Sequence, residues 1–113
     1  MSKNHIITIL GIDQNGDLTL SDHGKTKTKP GDRVTWKISK DRGGAYIRCI
    51  VDTSPPIDVF LPKDPPHQVR GSTDWRGTID PDITTIMEEE YCINYTKTEG
   101  TIGRHDPKIL VNP

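Results

Sequence analysis

The sequence predicts an all-β protein, and three observations support that fold class. The chain has fourteen Ile and thirteen Thr but a single Ala, and β-branched side chains fit a pleated sheet better than a helix. Apolar residues recur at every second position in several short runs, whereas helical periodicity is scarce. Nine Pro and ten Gly interrupt these runs at short intervals, as the turns of an all-β domain require.

The first half of the chain is predicted to form short strands separated by tight turns. His5–Ile12 alternates, with Ile7 and Ile9 on one face and Ile6 on the other. Residues 15–16, Asn-Gly, suit a two-residue hairpin turn into the next strand. The remaining predictions in this half are the strand Leu18–Ser21, the edge strand Lys25–Lys29, the turn Pro30–Asp32, the strand Arg33–Ser39 (inward Val34, Trp36 and Ile38) and the strand Ala45–Asp52 (inward Ile47, Cys49 and Val51).

A Pro-rich segment precedes the C-terminal strands. Residues 53–67 contain five prolines, which cannot donate to a sheet ladder, so the segment is predicted to be an irregular connection along the surface. Beyond it, alternation returns and predicts that the sheet resumes. The predicted elements there are the short strand Trp75–Ile79, the turn Asp80–Asp82, the strand Glu89–Thr96 (core-facing Tyr91, Ile93 and Tyr95) and the last strand Asp106–Val111 (core-facing Ile109 and Val111).

The length and the charge of the chain limit the classes of protein to which it can belong. The 113 residues predict one domain, 1–113, and the net charge of −1 argues against a nucleic-acid partner. Residues 1–52 carry nine Lys or Arg against six Asp or Glu, and residues 53–113 carry six against ten. Opposite patches would favour a homo-oligomer, although solvated surface charge is the simpler interpretation. Without a signal peptide or an apolar run near ~18 residues, a cytoplasmic protein with no membrane partner is expected.

Two segments resemble, in chain order, the cupredoxin family of copper-binding β-sandwiches. Residues 29–36, KPGDRVTW, match the last eight positions of the family's strand pattern (V/I)-x-x-G-(D/E)-x-V-x-(W/F). Tyr91, Ile93 and Tyr95 follow the aromatic alternation of its last long strand, Y-x-(Y/F)-x-C. The resemblance implies a Greek-key β-sandwich of cupredoxin-like topology. An immunoglobulin-like sandwich is the alternative, since both folds have short alternating strands.

The family's copper ligands have no counterpart at the matching positions. The interval 40–46 contains no His at the position of the family's ligand. Tyr95 or its neighbour stands where the ligand Cys belongs. Ile102 stands in place of the ligand Met. Type 1 copper requires two imidazoles and a thiolate, and Cys92 differs in parity from the core-facing tyrosines. No cofactor is therefore predicted. The segments LTLSDHG and DPKILVNP are similar to those of small bacterial proteins of this copper-free type.

A metal site assembled from scattered side chains is the alternative prediction. His23, His67 and His105 all lie in predicted turns or loops and could converge with Cys92 at one end of the sandwich. None of them forms the short His-x-His or Cys-x-x-Cys spacing typical of zinc sites. Such a rearranged site would indicate a metal-binding or electron-transfer protein. Cytoplasmic context and opposite strand parity argue against a Cys49–Cys92 disulfide.

The candidate binding residues lie in or beside the Pro-rich segment: Phe60, His67, Trp75 and Arg76. An exposed Trp–Arg pair is typical of an interface anchor, although Trp75 closing the end of a thin core is the simpler interpretation. No phosphate loop, nucleophile elbow or triad pattern is present, so no enzymatic activity is predicted. The predicted function is a non-enzymatic binding or protein-interaction module whose partner is a protein or a small molecule.

Overall fold

The protein is all-β, as predicted. The structure, a computed structural model, describes residues 3–12, 18–38, 48–52, 59–96 and 102–113. Within these ranges there are eleven strands and no helix. The predictions for Asn15-Gly16, Ile47 and residues 53–58 lie outside the described residues. The strands are β1 (Asn4–Ile12), β2 (Leu18–Leu20), β3 (Lys25–Thr28), β4 (Arg33–Ile38), β5 (Arg48–Asp52), β6 (His67–Gln68), β7 (Trp75–Thr78), β8 (Met87–Glu90), β9 (Cys92–Thr96), β10 (Ile102–His105) and β11 (Lys108–Val111).

The first layer is a five-stranded mixed sheet in the order β2-β1-β4-β7-β6. β1 and β4 run parallel, with Asn4 opposite Arg33, and the other neighbours are antiparallel. The predicted alternation of β1 is confirmed, because Ile7 and Ile9 are buried while Ile6 is half exposed. No helix long and apolar enough to cross a membrane occurs in the described ranges.

The second layer, called here the hairpin sheet, comprises the groups β10-β9-β5 and β3-β11-β8. The two groups share one antiparallel hairpin, because Lys108 lies opposite Glu90 and His105 opposite Ile93 without a change of register. Pro107 has no N–H and interrupts the ladder, although its carbonyl accepts a hydrogen bond from the amide of the buried Tyr91 at 3.0 Å. The predicted strand Glu89–Thr96 is therefore interrupted at Tyr91, and the last strand begins at Lys108 rather than at Asp106. Strand β10 was not predicted.

The core lies between these layers. Trp36 of β4 contacts Tyr91 of the hairpin sheet edge to face, with ring centroids 5.4 Å apart, and lies 6.1 Å from Phe60. The predicted inward positions whose side chains the structure describes, a set that leaves out Ile47 and Cys49, are buried, or in the case of Ile38 packed against the core. The buried core residues are Ile7, Ile9, Leu18, Leu20, Val34, Trp36, Val51, Val59, Phe60, Ile79, Tyr91, Ile93, Tyr95, Ile109 and Val111.

The end of the Pro-rich segment corrects the surface prediction made for it. Phe60 bridges to Ile79 in antiparallel fashion, and the Asp80 amide donates to the Val59 carbonyl at 2.9 Å. Backbone pairing with the chain beyond β7 therefore turns the side chains of Val59 and Phe60 into the core, where they are 0% and 5% exposed. Prolines exclude a central strand, but they leave room for such an isolated bridge.

Candidate binding face on the five-stranded sheet

Strand β7 sends the two predicted anchor residues to opposite faces of the sheet. Trp75 lies opposite Trp36 and packs, partly buried, against the core. Arg76 lies opposite Thr35 on one side and His67 on the other, on the outer face. Trp75 thus packs against the end of the core, as the simpler interpretation expected, and it does not form one exposed pair with Arg76 because successive strand residues alternate in direction.

Of the four candidate binding residues, the structure brings His67 and Arg76 together and places Phe60 and Trp75 on the core side. Pairing across the sheet adds two more residues to the outer pair. Thr35 lies opposite Ile6 in β1 as well as opposite Arg76 in β7. A row of side chains thus crosses four strands and is named here the Arg76 face: Ile6, Thr35, Arg76 and His67.

Arg76 is the residue of this face that has an unsatisfied hydrogen-bond donor. Its side chain is half buried, and its Nε atom is inaccessible to water with no hydrogen-bond partner among the residues that the structure describes. A buried N–H without an acceptor carries the full cost of losing its water, and more so when the group is charged. Within the described residues, the Nε–H of Arg76 is therefore left without an acceptor.

The carboxylates of Asp64 and Asp74, on either side of β6 in the chain, already have other partners. The Asp64 carboxylate accepts the hydroxyl of Thr78 and lies 3.5 Å from Nδ1 of His67. That imidazole nitrogen is also 2.8 Å from the Pro65 carbonyl oxygen, which fixes the ring at the rim of the face. Asp74 pairs with Lys37 at 3.2 Å. Within the described ranges, no carboxylate comes within ion-pair distance of Arg76.

The remaining surroundings keep the face rigid and partly apolar. Thr35 is 1% exposed, and its hydroxyl donates to Oδ1 of Asn4 at 2.9 Å, so its side chain is fixed beneath the row. Ile6 is 51% exposed and offers apolar surface beside it. A planar guanidinium next to an apolar side chain can bind a carboxylate through two parallel hydrogen bonds while its neighbour excludes water.

The alternative metal ligands fall on separate parts of the molecule. The ring of His105 lies near Gly24, next in the chain to His23, whereas His67 belongs to the edge strand of the other sheet. Cys92 points to the opposite face of β9 from Ile93, the residue that pairs with His105. In the part of the chain that the structure describes, no three His, Cys, Asp or Glu side chains form a group suited to a metal ion.

Cys92 is buried, whereas its parity predicted a side chain that faces away from the core. Its side chain is 6% exposed, and its thiol donates to Oδ1 of Asn94 at 3.5 Å. Cys92 forms no disulfide with another described residue. Cys49, the other cysteine of the chain, lies opposite Tyr95 in the strand pairing. It is three positions along the ladder from Cys92, which accords with the argument against a disulfide.

A second polar site, which the sequence did not reveal, surrounds Asp32. Residues 29–32 form a tight turn that requires the positive φ of Gly31, 85°, and the turn directs Asp32 inward. Its carboxylate is 3% exposed and accepts hydrogen bonds from the amides of Lys3 (2.9 Å) and Lys29 (3.0 Å) and from Nε2 of His5 (2.7 Å). Burial raises the pKa of Asp32, but the hydrogen bonds from His5 and the two amides outweigh it and hold the pKa below its usual range.

Comparison with known proteins supplies no family for this chain. No protein-family model matches it, and no curated protein matches it.

Proposed function

We propose that the protein is a non-enzymatic binding module that recognises a carboxylate of a protein partner on the Arg76 face. One observation carries the proposal: a half-buried guanidinium whose Nε is sealed from water and has no acceptor among the described residues. Arginine is enriched where interfaces concentrate their binding energy, because its fork of donors matches a carboxylate. An acidic peptide segment is the partner that this chemistry fits.

The scaffold that we propose is a Greek-key, cupredoxin-like sandwich without type 1 copper. Two parallel pairings, β1 with β4 and β3 with β11, favour it over the immunoglobulin-like alternative, whose two sheets are antiparallel. The resemblance of residues 29–36 to the cupredoxin strand adds support, since Trp36 of that segment is a core residue. The metal-binding alternative would require ligands that converge differently from those described, and copper titration tests it directly.

Charge favours an acidic segment of a protein over other anionic partners on this face. The net charge of −1 gives the molecule no broad attraction for a phosphate backbone. The half-exposed Ile6, in the same row and two strands away from Arg76, adds apolar surface that a side chain of a bound peptide can cover. A carboxylate docked between Ile6 and His67 would accept hydrogen bonds from the terminal Nη groups of Arg76, because the Nε atom is covered.

Binding of a fluorescent glutamate-rich peptide, followed by anisotropy at low salt, tests the proposal. Arg76→Gln is expected to weaken binding at least about tenfold, because the charge-assisted hydrogen bonds are lost. Arg70→Gln is the matched control, since it removes the same charge from an exposed position between β6 and β7. Equal weakening by both variants, or no peptide binding by the unaltered protein, would refute the proposal.

A further inference from the structure

A second, independent site lies at the end of the sandwich where the two layers meet. A cleft of about 440 Å³ opens between the start of β1, the ends of β3 and β11, and the turn before β4. Lys3, Lys27 and Lys29 line it together with His5, Asp32 and Asn112. Its volume lies within the range of small-molecule sites, about 300–1,000 Å³.

The lysine side chains of this cleft are not neutralised by acidic side chains of the described residues. Among the residues that the structure describes, none of the three lysine ammonium groups forms an ion pair. Lys25, on the same strand as Lys27, does form one, with Glu88 at 2.8 Å. Buried Thr26 and Thr28 leave Lys25 and Lys27 on the other face of β3, where Lys25 pairs with Glu88 and Lys27 lines the cleft.

The single acid of the cleft does not compete for these ammonium groups. Both oxygens of Asp32 are already engaged, by the Lys3 amide and by the Lys29 amide and His5 ring. The carboxylate therefore fixes the backbone of two of the three lysines while their side chains extend from the rim. The other ring nitrogen of His5, Nδ1, has no partner within the described ranges, and the side chain is 23% exposed.

We infer that this cleft binds a small molecule carrying a phosphate group. The three lysines that line this one concave site supply the positive charge that a doubly charged phosphate needs, and lysine is a common phosphate ligand. Asn112 at the end of β11 offers an additional polar side chain, and Leu110 offers an apolar wall for the remainder of the molecule. The site is separate from the Arg76 face, since its residues lie at the edge where the sheets meet.

A titration with pyrophosphate at constant ionic strength, observed by amide NMR, tests this inference. Saturable shifts confined to the cleft residues are expected, and the double variant Lys27→Gln, Lys29→Gln should weaken binding at least about tenfold. Lys25→Gln with Lys108→Gln is the matched control on the same two strands, because neither residue lines the cleft. Its affinity should stay within about twofold.

Two results would overturn the phosphate site. One is equal weakening by the cleft and control double variants, which would indicate general charge attraction. The other is a titration that does not saturate with pyrophosphate or with inorganic phosphate. The charge reversal Lys29→Glu provides a second variant at an exposed position, and it should abolish the saturable shifts while the rest of the amide spectrum is kept. The Arg76 face is reported by different amide signals, so either site can fail alone.

Discussion

Trp36 donates its indole N–H to the phenol oxygen of Tyr91 at 2.9 Å, and this hydrogen bond joins the two layers inside the core. The rings also meet edge to face. Burial raises the pKa of Tyr91 far above its ordinary value despite the hydrogen bond from Trp36, so the phenol stays neutral and remains an acceptor. Both polar atoms of this aromatic pair are thereby satisfied away from water.

Removing the Tyr91 hydroxyl should destabilise the protein although the ring remains. Tyr91→Phe leaves the buried indole N–H without an acceptor, and a loss of about 1–3 kcal/mol in the free energy of unfolding is expected. A double-mutant cycle with Trp36→Phe, measured by urea unfolding, should give a coupling of about 0.5–3 kcal/mol. Strict additivity would show that the two side chains do not interact.

Trp36→Ala should cost about 3–5 kcal/mol, as expected for a large buried aromatic.

Asp32→Asn should destabilise the protein in a pH-dependent way. The folded pKa of Asp32 lies below its usual value, so its stabilisation is present above the unfolded pKa of about 3.9 and is lost as pH falls through the folded value. Three hydrogen bonds to a charged group predict a loss of about 1.5–3 kcal/mol near neutral pH. Urea unfolding of both proteins between acid and neutral pH measures it. A difference that stays constant below the unfolded pKa would contradict the assignment.

Arg76→Met should raise stability or leave it unchanged. The substitution removes a buried donor that lacks a partner in the described chain and keeps most of the side-chain volume, so a gain of up to about 1–2 kcal/mol is expected. Arg70→Met, at an exposed position, should change stability by less than about 0.5 kcal/mol. Thermal unfolding compares the two. A loss above about 1 kcal/mol for Arg76→Met would mean that the guanidinium stabilises the fold rather than awaiting a partner.

Copper should not form a type 1 centre. Cys92 points to the face of β9 opposite Ile93, the residue that pairs with His105, so the thiolate and two imidazoles cannot share one trigonal site without rearrangement. Titration with Cu(I) and with Cu(II), followed by absorption spectroscopy, should show no intense thiolate-to-copper band. Stoichiometric tight binding with such a band would support the metal-binding alternative instead.

Alternation was the sequence signal that predicted most of the fold correctly. It identified the inward sets of the described strands, including Trp36 and the Tyr91–Tyr95 ladder, because a period of two fixes the face once the strand is recognised. It did not predict the parallel pairings of β1 with β4 and of β3 with β11, since register between strands distant in sequence depends on tertiary packing. The break at Pro107 had a visible cause that the strand prediction left out.

The candidate site was predictable only in part. His67 and Arg76 were identified by residue type, but parity alone would have separated Trp75 from Arg76. Phe60 was placed at the surface because prolines surround it, although its bridge to Ile79 buries it. The contact of Asp32 with His5 spans 27 residues and arises from the parallel register of two strands, so no local pattern indicates it.

NMR observation of the Arg76 Nε–H tests the central claim most directly. Because this group is sealed from water, its signal should be visible and should exchange slowly with solvent in the free protein. Adding the glutamate-rich peptide should shift the signal, with the same affinity that anisotropy gives. A peptide that binds without moving the Nε–H signal, or an Nε–H that exchanges freely in the absence of ligand, would contradict carboxylate recognition by Arg76.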